Sequence, residues 1–445
     1  MSKAIYLLSN DLRLDDNRAL ARAAQFDQFT LLYCVDPQWF KPNRYSLTSM
    51  GARRWRFVRK ALDYLAGRLE LMGQRLEVMY TDPLTALREA LSAQHYDAIV
   101  TQRPQGWYER QTLRQIKQQF LETDLICVDN YTLFDEADGD WLTVNLAKQY
   151  TPFRRLAEQQ LVPAPLPMPD RLPPPVGAML VSAHTALPKY LPKWLDSDLS
   201  AGDGFVGGES AAAQHVQAYF ASAAPSHYKQ TRNGLGGWDS SSKWSVWLAQ
   251  GCVSVRRLYQ CIADYEARCG ANDSTQWLRV ELLWREYFQW LARKIGTQLF
   301  AFNGLSKRAP LTSFYAERFR RWCDGTTPYP LVNACMQELA STGYMSNRGR
   351  QIVASCLVNE LQVDWRYGAA WFEQQLLDYD VANNWGNWQY IAGVGVDPRG
   401  GRHFDLAKQQ RQFDPDSRFI RQWLGDEKPI NTPLDSVDMV DWPIA

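Results

Sequence analysis

Residues 342–365 read TGYMSNRGRQIVASCLVNELQVDW, and residues 376–390 read LLDYDVANNWGNWQY. The first run opens on Asn347, Arg348 and Arg350 and continues through Ile352, Val353, Leu357 and Leu361, which predicts an apolar helix with a polar N-terminal end. The second crowds Asp378, Asp380, Asn383, Asn384 and Asn387 among Trp385, Trp388 and Tyr390. Helix capping explains any one of these amides. The set is harder to place in a plain core, because every buried amide needs hydrogen-bond partners. Together the two runs point to the lining of a pocket for a large, polar, planar ligand.

The rest of the chain bounds that reading. Its 445 residues suffice for two or three domains. A hydrophobic content of 46% is ordinary for a globular protein, whereas 18 Trp and 21 Tyr suit either a large helical core or stacking on rings. The formal charge of +1 means that a nucleic-acid partner has to be held by a local basic patch. Eight Cys without a CxxC pair and only five His argue against a zinc site and for reduced core thiols. The N-terminus has no signal-peptide core and the chain no long uncharged apolar run, so a soluble, cytoplasmic protein without a membrane span is expected.

Residues 1–130 alternate short apolar runs with amphipathic ones. Strands are predicted at Ile5–Leu8, Thr30–Val35, Leu76–Tyr80, Ala98–Thr101 and Leu125–Val128, and helices at Asn17–Ala24, Ser49–Met72, Pro83–Ala93 and Glu109–Leu121. This is the pattern of a doubly wound, parallel five-stranded α/β sheet, whose ligands bind at the carboxyl ends of the strands. No GxGxxG follows the first strand. Residues 131–204 read as an interdomain connector, with PAPLPMPDRLPPP too rich in proline for a helix or central strand. Helical patterns fill 205–425, and 426–445 form an Asp- and Pro-rich tail.

Two further constellations carry chemistry. In residues 231–245, TRNGLGGWDSSSKWS, the hydroxyl-rich run Asp239–Ser242 and Lys243 stand at the predicted start of a short helix, a setting suited to a pyrophosphate as well as to simple capping. In the helix expected around residues 277–291, Trp277, Glu281, Trp284 and Arg285 share one face. Two Trp in register with a charged pair suggest a cavity wall.

These motifs, with ELLWREYF (281–288), TGYMSNRGRQ (342–351) and DYDVANNWGNWQYIAGVGVDPRGGRHF (378–404), resemble the photolyase/cryptochrome family. SNRGRQ and NWGNWQY resemble its DASH cryptochrome branch, the single-strand DNA photolyases. The resemblance runs from NDLRLDDNRAL at residue 10 to FDPDSRFIRQW ending at Trp423. It implies a C-terminal helical domain that binds FAD through Tyr228, Ser241, Ser242, Lys243, Ser245, Arg350, Asp378, Asp380 and Asn384. It also implies light-driven repair of cyclobutane pyrimidine dimers, in which excited reduced FAD lends an electron to a flipped-out dimer. Glu281, Trp284 and Asn347 match the residues that touch the lesion, Asn384 the one facing the flavin N5. Arg232, Arg285, Arg348, Gln351, Tyr390 and Gln409 are the DNA-side candidates. Gln351 and Tyr390 replace a Met and a Trp of duplex-repairing relatives, which favours single-stranded DNA as partner. Trp388 and Trp365 match an electron relay whose third Trp is missing near residue 312, where Phe314, Tyr315 or Trp322 stand as substitutes. An antenna, 5,10-methenyltetrahydrofolate, is expected at Glu109. With no long extension after Trp423, a signalling role as blue-light photoreceptor is the alternative, and a monomer is expected.

Overall fold

In the computed structural model of the chain, residues 1–142, 146, 149–180, 184–185, 191–195, 204–396 and 401–426 are described. Part of the expected connector and nearly all of the expected tail lie outside them. Five strands, β1 (Lys3–Leu8), β2 (Gln28–Cys34), β3 (Leu76–Met79), β4 (Ala98–Gln102) and β5 (Asp124–Val128), form one parallel sheet in the order β3-β2-β1-β4-β5. Both faces are covered at the centre of the sheet, so β1, β2 and β4 are buried along nearly their whole length rather than on alternate residues. The period of two still shows in where they point: Ala4, Tyr6 and Leu8 join the large core, while Ile5 and Leu7 join a second, smaller one under Leu87, Ala90 and Ile116. The strand order reverses between β1 and β4, leaving a crevice at their carboxyl ends.

The loop after β1 fastens this unit to the helices that follow. Arg13, 2% exposed, donates to the carbonyls of Asp16, Asn130 and Gly251, and Glu209 accepts from the backbone of Leu14 and Asp15. Gly251 has to be glycine: its φ is +67° and a Cβ there would lie 2.1 Å from the Asn10 carbonyl oxygen.

The chain beyond β5 is more ordered than its sequence suggests. Tyr150–Ala157 is a helix, and the proline-rich run after it is an extended strap along the sheet unit, bonded to it from Leu166 to Asp16 and from Phe29 to Pro174. The sequence reading placed this helix inside the connector: it is short, and only Phe153 and Ala157 of its residues are buried.

The 23-residue helix Asp273–Ile295 is the spine of the helical part, with a capping box at Asn272 and Thr275. Glu286, on its buried face, accepts from the N–H groups of Leu133 (2.8 Å) and Phe134 (3.2 Å) and from Trp290 Nε1 (2.7 Å). The helix thereby holds the segment after β5. The expected helix from Asn347 to Leu361 is two pieces: an α-helix Asn347–Ser355, then one π-turn Cys356–Glu360, with the Asn359 amide bonded to the carbonyls of Ser355 and Arg402. Such wide turns cluster at functional sites. Helices Trp365–Gln375 and Val381–Ile391 complete the bowl around it.

Replacing Glu286 by Ala leaves three buried donors without their acceptor. We expect a loss of about 3 kcal/mol of stability or more, read as a lowered urea midpoint by circular dichroism.

Candidate functional site

The bowl encloses a cavity of about 380 Å³, within the range of cofactor pockets. It is lined by Tyr228, Arg232, Ser241, Ser242, Lys243, Ser245, Glu281, Trp284, Arg285, Asn347, Arg350, Gln351, Asp378, Asp380 and Tyr390, so fifteen of the residues singled out in the sequence share one space. Asn384 stands just behind, 9% exposed, with its amide nitrogen donating to the Ala369 carbonyl at 2.9 Å.

Asp380 caps the helix Val381–Ile391 and accepts four hydrogen bonds: from Tyr131 Oη (2.8 Å), Gln289 Nε2 (2.9 Å), and the backbone N (2.7 Å) and Nδ2 (2.8 Å) of Asn383. Tyr131 and Gln289 were not foreseen, since nothing local in the sequence marks them. Beside it Asp378, its side chain 2% exposed, is gripped by Arg350 NH2 at 2.8 and 3.0 Å, and Arg350 Nε donates to the Met345 carbonyl. A buried pair of this kind stands only with its remaining protons satisfied.

Ser241, Ser242 and Lys243 form the next wall. The short helix begins at Ser245 rather than in the serine run, because Lys243 adopts a left-handed φ of +52°. That turn sets the ammonium 4.8 Å over the Tyr344 ring. His215 Nε2 donates to the Ser242 carbonyl at 2.7 Å while its ring stacks on Trp247, and burial lowers its pKa. Behind Lys243 and Arg350 lies Glu338, whose carboxyl is pushed up to about 8 by burial against the pull of those two cations. Hydroxyls, a lysine and a hemmed-in arginine form a donor set that fits a diphosphate, and the Arg350–Asp378 and Asp380 groups fit a polar heterocycle with a hydroxylated chain.

The opposite wall is aromatic. Trp284 lies 3.5 Å from the Tyr150 ring at 12°, and Tyr390 meets it edge-on at 6.3 Å. Tyr150 was another residue that sequence reading missed. Glu281 accepts from Arg232 NH2 (2.5 Å) and Trp277 Nε1 (3.0 Å). The Tyr390 hydroxyl is bonded to Arg402, so its polar tip is already engaged. Three DNA-side candidates sit less freely. Arg285 donates to the Tyr131 carbonyl and stacks on its ring, Arg348 packs on Phe413 and bonds Asn233, and Gln409 is buried at 8% exposure. The last two do not line the cavity; both belong to the packing behind it.

A second cavity, about 340 Å³, occupies the crevice at the carboxyl ends of β1 and β4. Asp380 and Tyr131 line it too, so they form the partition between the cavities. Glu109 opens into this space, with its pKa raised by surrounding protein and by Asp380. Buried side-chain oxygens of Gln102, Gln105 and Gln289 have no partner among the described residues. Of the expected relay, Trp388 lies 6.1 Å from Trp322, and Trp365 lies 5.9 Å from Trp385.

Comparison with known proteins agrees with this geometry. A family model described as the FAD binding domain of DNA photolyase matches residues 277–434, and one described as DNA photolyase matches residues 4–170. The chain belongs to the photolyase/cryptochrome family. Within it, the chain is 46% identical to a cryptochrome DASH of Idiomarina loihiensis, over 99% of this chain and 96% of that one. It is 44% identical to a cryptochrome DASH of Vibrio parahaemolyticus, over 99% and 97%. The solved structure of a Synechocystis cryptochrome superposes with a TM-score of 0.89 at 36% identity, covering 95% of this chain and 89% of that one. A class III photolyase from Agrobacterium tumefaciens gives 0.79 at 26% identity, covering 99% and 92%. The branch is therefore the DASH cryptochromes, and the C-terminal half is an FAD-binding domain. Among the described residues no helix is long and apolar enough to cross a membrane.

Glu338 makes a pH prediction. Its folded pKa lies above its unfolded value, so the native state binds the extra proton and the stabilisation by that proton fades as pH rises from about 4.5 to about 8. The stability advantage of Glu338→Gln over the parent should therefore grow across this window and level off above it, as read from urea midpoints at each pH.

Proposed function

We propose that the protein is a deoxyribodipyrimidine photo-lyase that reverses cyclobutane pyrimidine dimers with light, mainly in single-stranded DNA. One observation carries this reading: Glu281, Trp284, Asn347, Gln351 and Tyr390 line the same cavity as Ser241, Ser242, Lys243, Arg350 and Asp378. A lesion held by the first group would stand directly against a flavin held by the second. Bound reduced FAD supplies, on excitation, the electron that opens the cyclobutane ring and is afterwards returned.

The chain's own residues do the rest. Ser241, Ser242, Ser245 and Lys243 would hold the diphosphate, while Arg350 and Asp378 would fix the edge of the ring system, with Asn384, an amide rather than a carboxylate, standing behind it. Trp284, its plane set by Tyr150, provides the stacking surface for a flipped base, and Asn347 and Glu281 hydrogen-bond its edge. Arg232 faces the backbone. Gln351 and Tyr390 make the lesion side more polar, which weakens the apolar grip needed to offset a few kcal/mol of unpairing in a duplex. A single strand has no such cost.

We place the antenna, 5,10-methenyltetrahydrofolate, in the second cavity. Glu109 and the unpaired oxygens of Gln102, Gln105 and Gln289 are acceptors for the N–H groups of a pterin. Trp388 and Trp365 are proposed as relay members, with Trp322 and Trp385 as their ring neighbours. A cytoplasmic monomer is part of the same proposal.

Illuminating reduced protein with dimer-containing oligo(dT) should restore thymine absorbance, faster in single strands than in the annealed duplex. Equal rates would remove the single-strand preference. No recovery, together with light-dependent binding of a protein partner, would favour the photoreceptor reading. Trp388→Phe should slow flavin photoreduction by an external thiol, followed as loss of blue absorbance; unchanged kinetics would remove Trp388 from the relay.

A further inference from the structure

Arg232 and Glu281 are poised to exchange partners. Arg232 follows the helix Ala224–Thr231, keeps 18% of its side chain exposed, and has an Nε without a partner among the described residues. Its guanidinium also lies 5.3 Å over the Trp277 ring. Glu281 is 31% exposed, opening into the cavity, yet is enclosed by protein on its other sides; burial raises its pKa, and Arg232 first and the Trp277 N–H second oppose that rise. Among the described residues the surrounding groups offer no second counter-ion. Tyr228, on the helix that Arg232 follows, and Tyr150, on the helix Tyr150–Ala157, are phenols pushed far up by burial and so are neutral. Arg285, on Glu281's own helix, is bonded to the Tyr131 carbonyl. Lys229 is paired with Asp273. Arg348, from the helix Asn347–Ser355, repels Arg232 instead.

We propose that Arg232 sets the charge of Glu281: a phosphate of bound DNA draws the guanidinium off the carboxylate, and Glu281 then takes one proton from solvent and presents its O–H to a carbonyl of the flipped base. This rests on the reading of the cavity as a DNA site. The chemistry favours the exchange. A phosphate suits the arginine fork, relieves its repulsion with Arg348, and leaves Glu281 hemmed in without a cation. An ionised Glu281 repels negative charge arriving on the base, whereas a neutral carboxyl donates a hydrogen bond to it. In the free protein the ion pair holds the arginine on the carboxylate.

The test is calorimetric titration of flavin-loaded protein with dimer-containing oligo(dT) in the dark, in buffers of different ionisation enthalpy. The expected result is uptake of about one proton per strand bound, with affinity falling up to about tenfold per pH unit as pH rises. Infrared difference spectra should gain a carboxylic-acid band on binding, and Glu281→Gln should remove both the band and the uptake. In Arg232→Met the band should be present before DNA is added, whereas Arg232→Lys should keep the uptake. Binding without proton uptake and without the band overturns the exchange and leaves the DNA reading standing. Absence of any binding overturns both.

Discussion

The carboxylate of Asp380 is the constraint on which this architecture turns. It accepts from Tyr131 on the segment after β5, from Gln289 on the long helix, and from Asn383 on its own helix. Three chain segments distant in sequence are thus tied to one charge, and that charge is also the partition between two cavities. A carboxylate at 7% exposure is tolerable only when its lone pairs are filled, so the donors are as necessary as the acid. Loss of any one would loosen both rooms at once.

The same rule explains the amide-rich stretch. Asn383, Asn384, Asn387 and Asn359 each spend a donor on a backbone carbonyl or a carboxylate: Asn383 on Asp380, Asn384 on Ala369, Asn387 on Asn383 and Asn359 on Ser355 and Arg402. They brace the wall of the bowl. The π-turn at Cys356–Glu360 belongs to this bracing, since it carries Asn359 to Arg402 and Arg402 in turn reaches the Tyr390 hydroxyl. The Tyr390 phenol thus adds one polar contact to the wall.

Much of this was written in local pattern. The apolar runs of β1 to β5 and the face shared by Trp277, Glu281 and Trp284 follow from periods of 2 and 3.6, set by nearest neighbours. The helix Tyr150–Ala157 and the left-handed Lys243 escaped that reading because distant packing, not propensity, fixes them. Gln409 looks like a surface group in sequence and is buried in the fold, while Arg348 is half-buried against Phe413.

By itself the sequence determined the parallel α/β sheet, the helical half and the residue types able to line a flavin pocket, because motif order and hydrophobic period are properties of the chain. Only the tertiary structure decided which of those residues meet. It paired Arg232 with Glu281, set Tyr150 on Trp284, placed Asp380 between two cavities, and turned Arg285 toward Tyr131. Such pairings join residues from 49 to 249 positions apart, and hydrogen-bond satisfaction at that range is settled only when the whole core has closed.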